Sequence, residues 1–261
     1  YKTAYYISPQ VWAWKEGRVR TLRKVIDRMI VILPFEKAFY RKWNLDAEYV
    51  GHPLIQVISE FREQQQNSTR SETPVKTIAL LPGSRKQEIN KKLPVMLSVC
   101  DFFPDYQFVI AQAPGLDDAF MQTFTAGHPN VQTVKGKTYD LLIRSEAALV
   151  TSGTATLETA LLGIPEVVCY KGSALSYAIA RRLIRVPYIS LVNLIMNKEV
   201  VKELIQDDLN TENLKRELDL LLNNPEKKSQ LEKDYRDLYG LLSKGGQASA
   251  RAAEIIVESA K

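Results

Sequence analysis

Cysteine and histidine are scarce, with two of each in 261 residues. Cys100 and Cys169 both stand in apolar stretches. They read as buried core thiols of a reducing compartment, which excludes a disulfide framework. With only His52 and His128 beside them, the soft ligands of a structural or catalytic metal centre are too few. No uninterrupted apolar run approaches the ~18 residues of a membrane-spanning helix, and no signal peptide is visible. RNA- and DNA-reading motifs, internal repeats and low-complexity tracts are likewise missing. The first residue is Tyr1, and YKTAYYIS already has the character of a buried strand. The sequence is therefore expected to start inside a domain.

What is present is an ordinary globular balance, 45% hydrophobic and 25% charged. The net charge is +5, with basic stretches at Lys15 to Lys24 and Arg181 to Arg185. Any one cluster reads first as a solvated surface. The sharper reading is attraction to anions: a nucleotide, nucleic acid or an acidic membrane face. Near the start, Trp12 and Trp14 and the run FEKAFYRKW (35 to 43) mix aromatic with basic residues. Core packing or a half-buried helix is the plain reading. An acyl-lined or membrane-facing surface is the sharper one.

Strand-like and helix-like stretches alternate, the mark of parallel βαβ units. Strands are expected at Thr3 to Ile7, Arg28 to Leu33 and Glu48 to Gly51. Helices are expected around Arg18 to Ile26, Phe35 to Trp43 and Leu54 to Gln66. The polar run QQQNSTRSETP then reads as a linker. Beyond it, strands are expected at 77–82, 107–113, 131–135, 147–151, 166–170 and 188–192. Helices are placed between them at about 88–103, 117–126, 139–145, 154–163 and 173–185, giving a doubly wound sheet. From Lys198 onward the chain reads as helical: Lys198 to Gln206, Glu212 to Leu222, Pro225 to Leu242 and Gln247 to Ala260. The domain scheme is thus 1–66, the end of a first Rossmann-like domain; 67–75, a linker; 76–206, a second Rossmann-like domain that binds nucleotide. Residues 207–261 are carboxy-terminal helices packing back on the first domain or on a partner.

Two turns carry the chemistry. ALVTSGTATLETALLGIP (148 to 165) joins an apolar strand to a small-residue turn and then a helix. A helix start of this kind presents free N–H groups and a positive dipole end, suited to phosphate. LLPGSR (80 to 85) repeats the arrangement after another apolar strand. Gly83 permits close backbone approach, and Arg85 offers a fork of donors to phosphate oxygens. In the other turn Ser152, Gly153, Thr154, Ala155 and Thr156 form the helix start. Glu158, one helical turn beyond Thr154, can take two sugar hydroxyls or can simply be solvated. Asn193, in the apolar run YISLVNL, needs partners for its amide. It either meets ligand or satisfies a loop. Glu203 and Gln206 are weaker candidates whose default is solvent exposure. His52, in GHP (51 to 53), reads as a hinge residue because no acid or nucleophile stands beside it.

Taken in order, YYISPQVWAW, LPFEKAFY, YVGHPL, LLPGSRKQEI, TSGTATLETALLGIP, YISLVNLI and KELIQ resemble the lipid-A-disaccharide synthases, with an echo in GGQASARAAE. The resemblance implies an α/β protein of GT-B type: a doubly wound, Rossmann-like carboxy-terminal domain plus the end of an amino-terminal one. It implies inverting transfer of diacylglucosamine from UDP-2,3-diacylglucosamine to 2,3-diacylglucosamine 1-phosphate. The product is a β-1,6-linked disaccharide 1-phosphate and UDP, without metal or other cofactor, and no nucleic acid is involved. The place implied is cytoplasmic, peripheral on the inner face of a Gram-negative inner membrane, and a homodimer is possible. Gly83, Ser84, Arg85, Ser152, Gly153, Thr154, Glu158 and Asn193 match the family's nucleotide-binding positions, with Arg85 stabilising the leaving group. The resemblance places the base upstream of this chain. Two other readings stay open: another UDP-sugar enzyme of the same architecture (an epimerase or the transferase of peptidoglycan synthesis), or a nucleotide- and membrane-binding fragment without turnover.

Overall fold

The computed structural model describes residues 1–66, 75–173 and 186–260. The linker expected at 67–75 and the helix expected at 173–185 fall almost wholly outside them. The chain divides into two compact units. Residues 1–66 and 236–260 belong to the first, and 75–173 and 188–235 to the second.

The first unit holds a parallel sheet of three strands, β1 (Ala4–Tyr6), β2 (Arg28–Val31) and β3 (Ala47–Tyr49), in that spatial order. They alternate with α1 (Val11–Trp14), α2 (Val19–Val25) and α3 (Glu36–Arg41), and α4 (Pro53–Gln66) follows β3. Strand geometry sends successive side chains to opposite faces, and β2 shows what that accomplishes. Met29 and Val31 pack with Val11, Val19, Tyr40, Leu45 and Ala47 on one side. Ile30 packs on the other with Val50 and with Ala248, Ala252 and Ile255 of the last helix, α12 (Ala248–Ala260). The spacing of those three α12 residues puts them on one helical face. Trp12 is buried against Phe35, its ring edge-on at 4.9 Å, whereas Trp14 is exposed.

A glycine contact closes this unit. Gly51 has φ +88°, a conformation that suits only glycine comfortably, and a Cβ there would stand 3.0 Å from the carbonyl oxygen of Gly246. A Cβ on Gly245 would overlap the Gly51 nitrogen and the Val50 carbonyl carbon. Beside this backbone-on-backbone contact the His52 amide donates to Leu242 O at 3.4 Å, and the Tyr49 hydroxyl donates to Leu241 O and Leu242 O at 3.2 Å. The His52 ring is buried and its Nδ1 accepts from the Leu54 amide at 3.2 Å, so it is held neutral, and burial pulls its pKa down to about 4.

The second unit is built on a six-stranded, wholly parallel sheet. Its strands are β4 (Thr77–Leu81), β5 (Gln107–Gln112), β6 (Val131–Lys135), β7 (Ala147–Thr151), β8 (Glu166–Tyr170) and β9 (Lys202–Ile205), in the order β6-β5-β4-β7-β8-β9. Every residue of β4 and β7 is buried, as central parallel strands covered on both faces require. The edge strand β6 carries Gln132, Thr133 and Lys135 outward. The connecting helices are α5 (Lys86–Leu97), α6 (Asp118–Thr125), α7 (Thr138–Leu142) and α8 (Thr154–Leu162). Then follow α9 (Leu191–Met196), α10 (Thr211–Asn223), packed on β7 and β8, and α11 (Pro225–Ser243).

Two expectations are corrected here. Residues 188–192 do not form a strand: Ser190 caps α9, its hydroxyl accepting from the Asn193 amide at 3.3 Å. Residues 198–206 do not form a helix: Lys202–Ile205 is the sixth strand, paired with β8 in register Val168↔Glu203 and Cys169↔Leu204.

Candidate functional site

The order β6-β5-β4-β7-β8-β9 has a reversal in its middle. From β4 the chain steps outward through β5 to β6, then returns to β7 on the other flank and steps out to β8 and β9. Ligands of open parallel sheets bind in the crevice outside the carboxyl ends of the strands at such a switch point. The two turns singled out by sequence lie there. β4 and β7 are paired in register, Leu81 opposite Val150, so Pro82–Arg85 and Ser152–Gly153 leave the sheet side by side. A Cβ on Gly83 would stand 3.8 Å from the Thr151 methyl group, which measures how closely the corners approach.

Both corners lead into helices, α5 and α8, whose N-caps are Arg85 and Gly153 and whose starts have no side-chain cap. Their leading N–H groups and positive dipole ends therefore both lie at the carboxyl edge of the sheet, next to adjacent strands. Ser84, Arg85, Gly153 and Thr154 are exposed, and a Cβ on Gly153 would meet nothing within 4 Å. The Thr156 hydroxyl is turned back, donating to Gly153 O at 2.8 Å, and its side chain is buried. Ala155 is half-buried in the first turn of α8.

Arg85 reaches outward with its guanidinium 3.3 Å from Glu88 Oε1. Glu88 is the residue sequence reasoning missed at this corner. Its other oxygen lies 3.8 Å from the ammonium of the buried Lys92 and 2.8 Å from where a Gly83 Cβ would stand. Burial pulls the Lys92 pKa down, and the Glu88 carboxylate opposes that pull. The signal was the spacing: three and seven residues beyond Arg85, Glu88 and Lys92 share its helical face. Glu158 is half-buried and accepts from the Tyr139 hydroxyl at 3.0 Å. Burial, reinforced by Glu158, raises the Tyr139 pKa. Tyr139 was not foreseen either, since nothing in sequence ties the first turn of α7 to α8.

The remaining candidates form a brace. Glu203, on β9, accepts from the Ile189 and Ser190 amides at 3.0 and 2.9 Å and from Asn193 Nδ2 at 2.9 Å. Asn193 Nδ2 also donates to Val201 O, and its Oδ1 accepts from the Val200 and Val201 amides, at 2.8 to 3.0 Å. All four hydrogen-bonding positions of this buried amide are thereby used. Ile189 O in turn accepts from the Ser152 hydroxyl at 3.1 Å. The brace thus ends on the second corner. Gln206 Oε1 accepts from the Gly172 amide at 3.0 Å at the end of β8. Among the described residues no cluster of acids, histidines and cysteines is arranged to hold a metal ion.

Comparison with known proteins bears on the fold and on the family. Among solved structures, UDP-GlcNAc 2-epimerase from Neisseria meningitidis bound to UDP-GlcNAc superposes with a TM-score of 0.60 at 17% identity, over 99% of this chain and 68% of that one. CalG4, the calicheamicin glycosyltransferase, gives 0.57 at 16% identity over 90% and 52%. At such identities the likeness is one of fold: the α/β, doubly wound architecture of the GT-B class. A family model for lipid-A-disaccharide synthetase matches residues 1–259. The lipid-A-disaccharide synthase of Syntrophus aciditrophicus (strain SB) is 44% identical over 98% of this chain and 70% of its own length. Other relatives of that description are covered over 59% of theirs. The chain belongs to the lipid-A-disaccharide synthetase family, whose members are glycosyltransferases.

Proposed function

We propose that this chain carries the nucleotide-sugar half of a lipid-A-disaccharide synthase. The reaction is transfer of 2,3-diacylglucosamine from its UDP derivative to 2,3-diacylglucosamine 1-phosphate, with inversion at the anomeric carbon and release of UDP. The observation that supports it most is the pair of uncapped helix starts flanking the β4/β7 switch point, with Arg85 at the rim. A diphosphate seated there meets main-chain N–H groups of Thr154 and Ala155, the Ser84 hydroxyl and the Arg85 guanidinium, while the Ser152 hydroxyl stays on Ile189 O. Gly83 and Gly153 leave room for it. Glu158, oriented by Tyr139, takes the ribose hydroxyls. Asn193 and Glu203 act one step removed, by holding Ile189 against Ser152, and Gln206 fixes the end of β8.

As the glycosidic bond breaks, negative charge grows on the leaving diphosphate. Donors already aimed at that position stabilise it without reorganisation. Arg85 supplies full charge and the helix ends supply partial charge. The general base for the acceptor 6-hydroxyl is assigned to none of these residues. The acceptor is an anionic lipid, so we place the working protein at the inner face of the inner membrane. No helix among the described residues is long and apolar enough to cross a membrane, and attachment in this reading is peripheral. The epimerase reading rests on fold likeness alone, whereas the sequence relatives carry the name lipid-A-disaccharide synthase.

The test is Arg85→Ala in the full-length protein. Turnover should fall by about 10²-fold or more, as for a lost preorganised donor, and calorimetry should show weakened UDP binding. Unchanged turnover and UDP affinity would remove Arg85 from the site.

A further inference from the structure

The first unit contains a buried carboxylate that the nucleotide site does not use. Glu36, the first residue of α3, is 1% exposed. Its Oε1 accepts from the Ser8 hydroxyl at 2.9 Å and from Trp12 Nε1 at 3.1 Å, and its Oε2 accepts from the Leu33 amide at 3.0 Å. These donors come from the segments that leave the carboxyl ends of β1 and β2, the edge at which parallel sheets take ligands. Burial pushes the Glu36 carboxyl pKa up, and the Leu33, Ser8 and Trp12 donors pull it back. Removing any donor's acceptor would leave a buried polar group unpaired, at the desolvation cost of that group.

The segment so tied is strained. Ile7 has φ 60°, a true outlier for a β-branched side chain. Strain of this kind persists only where the surroundings over-determine it, and it gathers at ligand-binding positions. Beyond Ile7 the segment turns two large apolar side chains outward: Ile7 is 49% exposed and Trp14 47%. Lys15 lies over the Trp14 ring at 4.1 Å, and Arg18 and Arg20 are exposed just beyond. Apolar surface bordered by cations complements an anionic amphiphile.

We propose that Glu36 is a positioning residue: through Ser8 and Trp12 it fixes residues 7–14 as a preformed lip that receives the acyl chains and phosphate of the acceptor lipid. The inference rests on the transferase reading above. Glu36 touches no reacting atom. Its carboxylate holds the strained turn in place, and the lip then costs little ordering when lipid arrives.

The experiment uses the full-length protein with Glu36→Gln, which keeps the size but presents an amide donor to one of the three donors. The KM for the acceptor lipid should rise by about tenfold or more, with the KM for the UDP donor changed by less than about twofold, even as the melting midpoint falls by the cost of the one unpaired donor. Should that variant not fold, Ser8→Ala and Trp12→Phe each delete one donor and carry the same split at smaller size. Unchanged acceptor KM overturns the proposal. So does a parallel rise of both KM values with a lowered midpoint, which would make Glu36 merely structural. Lost binding to anionic phosphatidylglycerol vesicles with unaltered acceptor KM also overturns it, by giving the lip to the bilayer. Failure of the unmodified protein to transfer sugar at all, with UDP still bound, would sink the transferase reading instead.

Discussion

Adding one methyl group at Gly245 should unseat the closure of the first unit. The new Cβ would overlap the Gly51 nitrogen and the Val50 carbonyl carbon, both main-chain atoms that no rotamer change can move. The cost is therefore at the upper end of that for overpacking, roughly 3 kcal/mol or more. Relief by separation would stretch the His52–Leu242 and Tyr49–Leu242 hydrogen bonds as well. At roughly 2–4 °C per kcal/mol for a domain of this class, the melting midpoint should drop by roughly 6–12 °C. Gly240→Ala is the matched control. It sits exposed within α11, and a Cβ there meets nothing within 4 Å. That change should raise stability by about 0.5–1 kcal/mol, the helix penalty of glycine. Thermal unfolding followed by circular dichroism distinguishes the two. Melting of Gly245→Ala together with the parent would refute close packing of Gly245 on the Val50–Gly51 backbone.

Two further outcomes follow from the same reasoning. Histidine titrates near 6.5 in an unfolded chain, while burial pulls His52 to about 4, so between those pH values only the unfolded state takes up the proton. The His52 contribution is complete above pH 6.5 and is lost as pH falls toward 4, by on the order of 3 kcal/mol. In denaturant unfolding from neutral to acid pH, His52→Asn should lack this component, and parallel curves for the two proteins would exclude it. Gly83→Ala places a methyl group 2.8 Å from Glu88 Oε2 at a φ of +107°. It should weaken UDP binding by about tenfold or more, the equivalent of at least ~1.4 kcal/mol. Calorimetry showing unaltered affinity would mean the first corner does not approach the diphosphate.

The parts of the fold that were legible are those where local pattern and tertiary role agree. TIALL and AALVT, buried at every position, read as central parallel strands because nothing polar interrupts them. The corners were legible because Pro82-Gly83 and Ser152-Gly153 have few uses other than a sharp strand-to-helix turn. Residues 188–192 misled because YISLV is rich in strand formers, while the deciding interaction is one hydroxyl cap by Ser190. Residues 198–206 misled in the opposite sense. Their Lys and Glu favour helix, yet pairing with β8 and the Glu203 brace outweigh a propensity of a few tenths of a kcal/mol per residue. Asn193 was rightly singled out as an amide in need of partners. Sequence could not tell that Val200, Val201 and Glu203 supply all of them. Glu36 is not singled out within FEKAFYRKW, which reads as a half-buried helix. Its burial depends on Ser8 and Trp12, 28 and 24 residues earlier, which no local window contains.

The reversal of direction between β4 and β7 has a consequence for how such a chain diversifies. Its two strand-to-helix corners are encoded about 70 residues apart, yet they meet through nothing more than strand pairing. Either loop can thus be rewritten, lengthened or recoloured chemically without disturbing the other, provided the pairing beneath survives. If the proposed site is right, substrate preference becomes a property edited one corner at a time, on a frame that need not be reinvented.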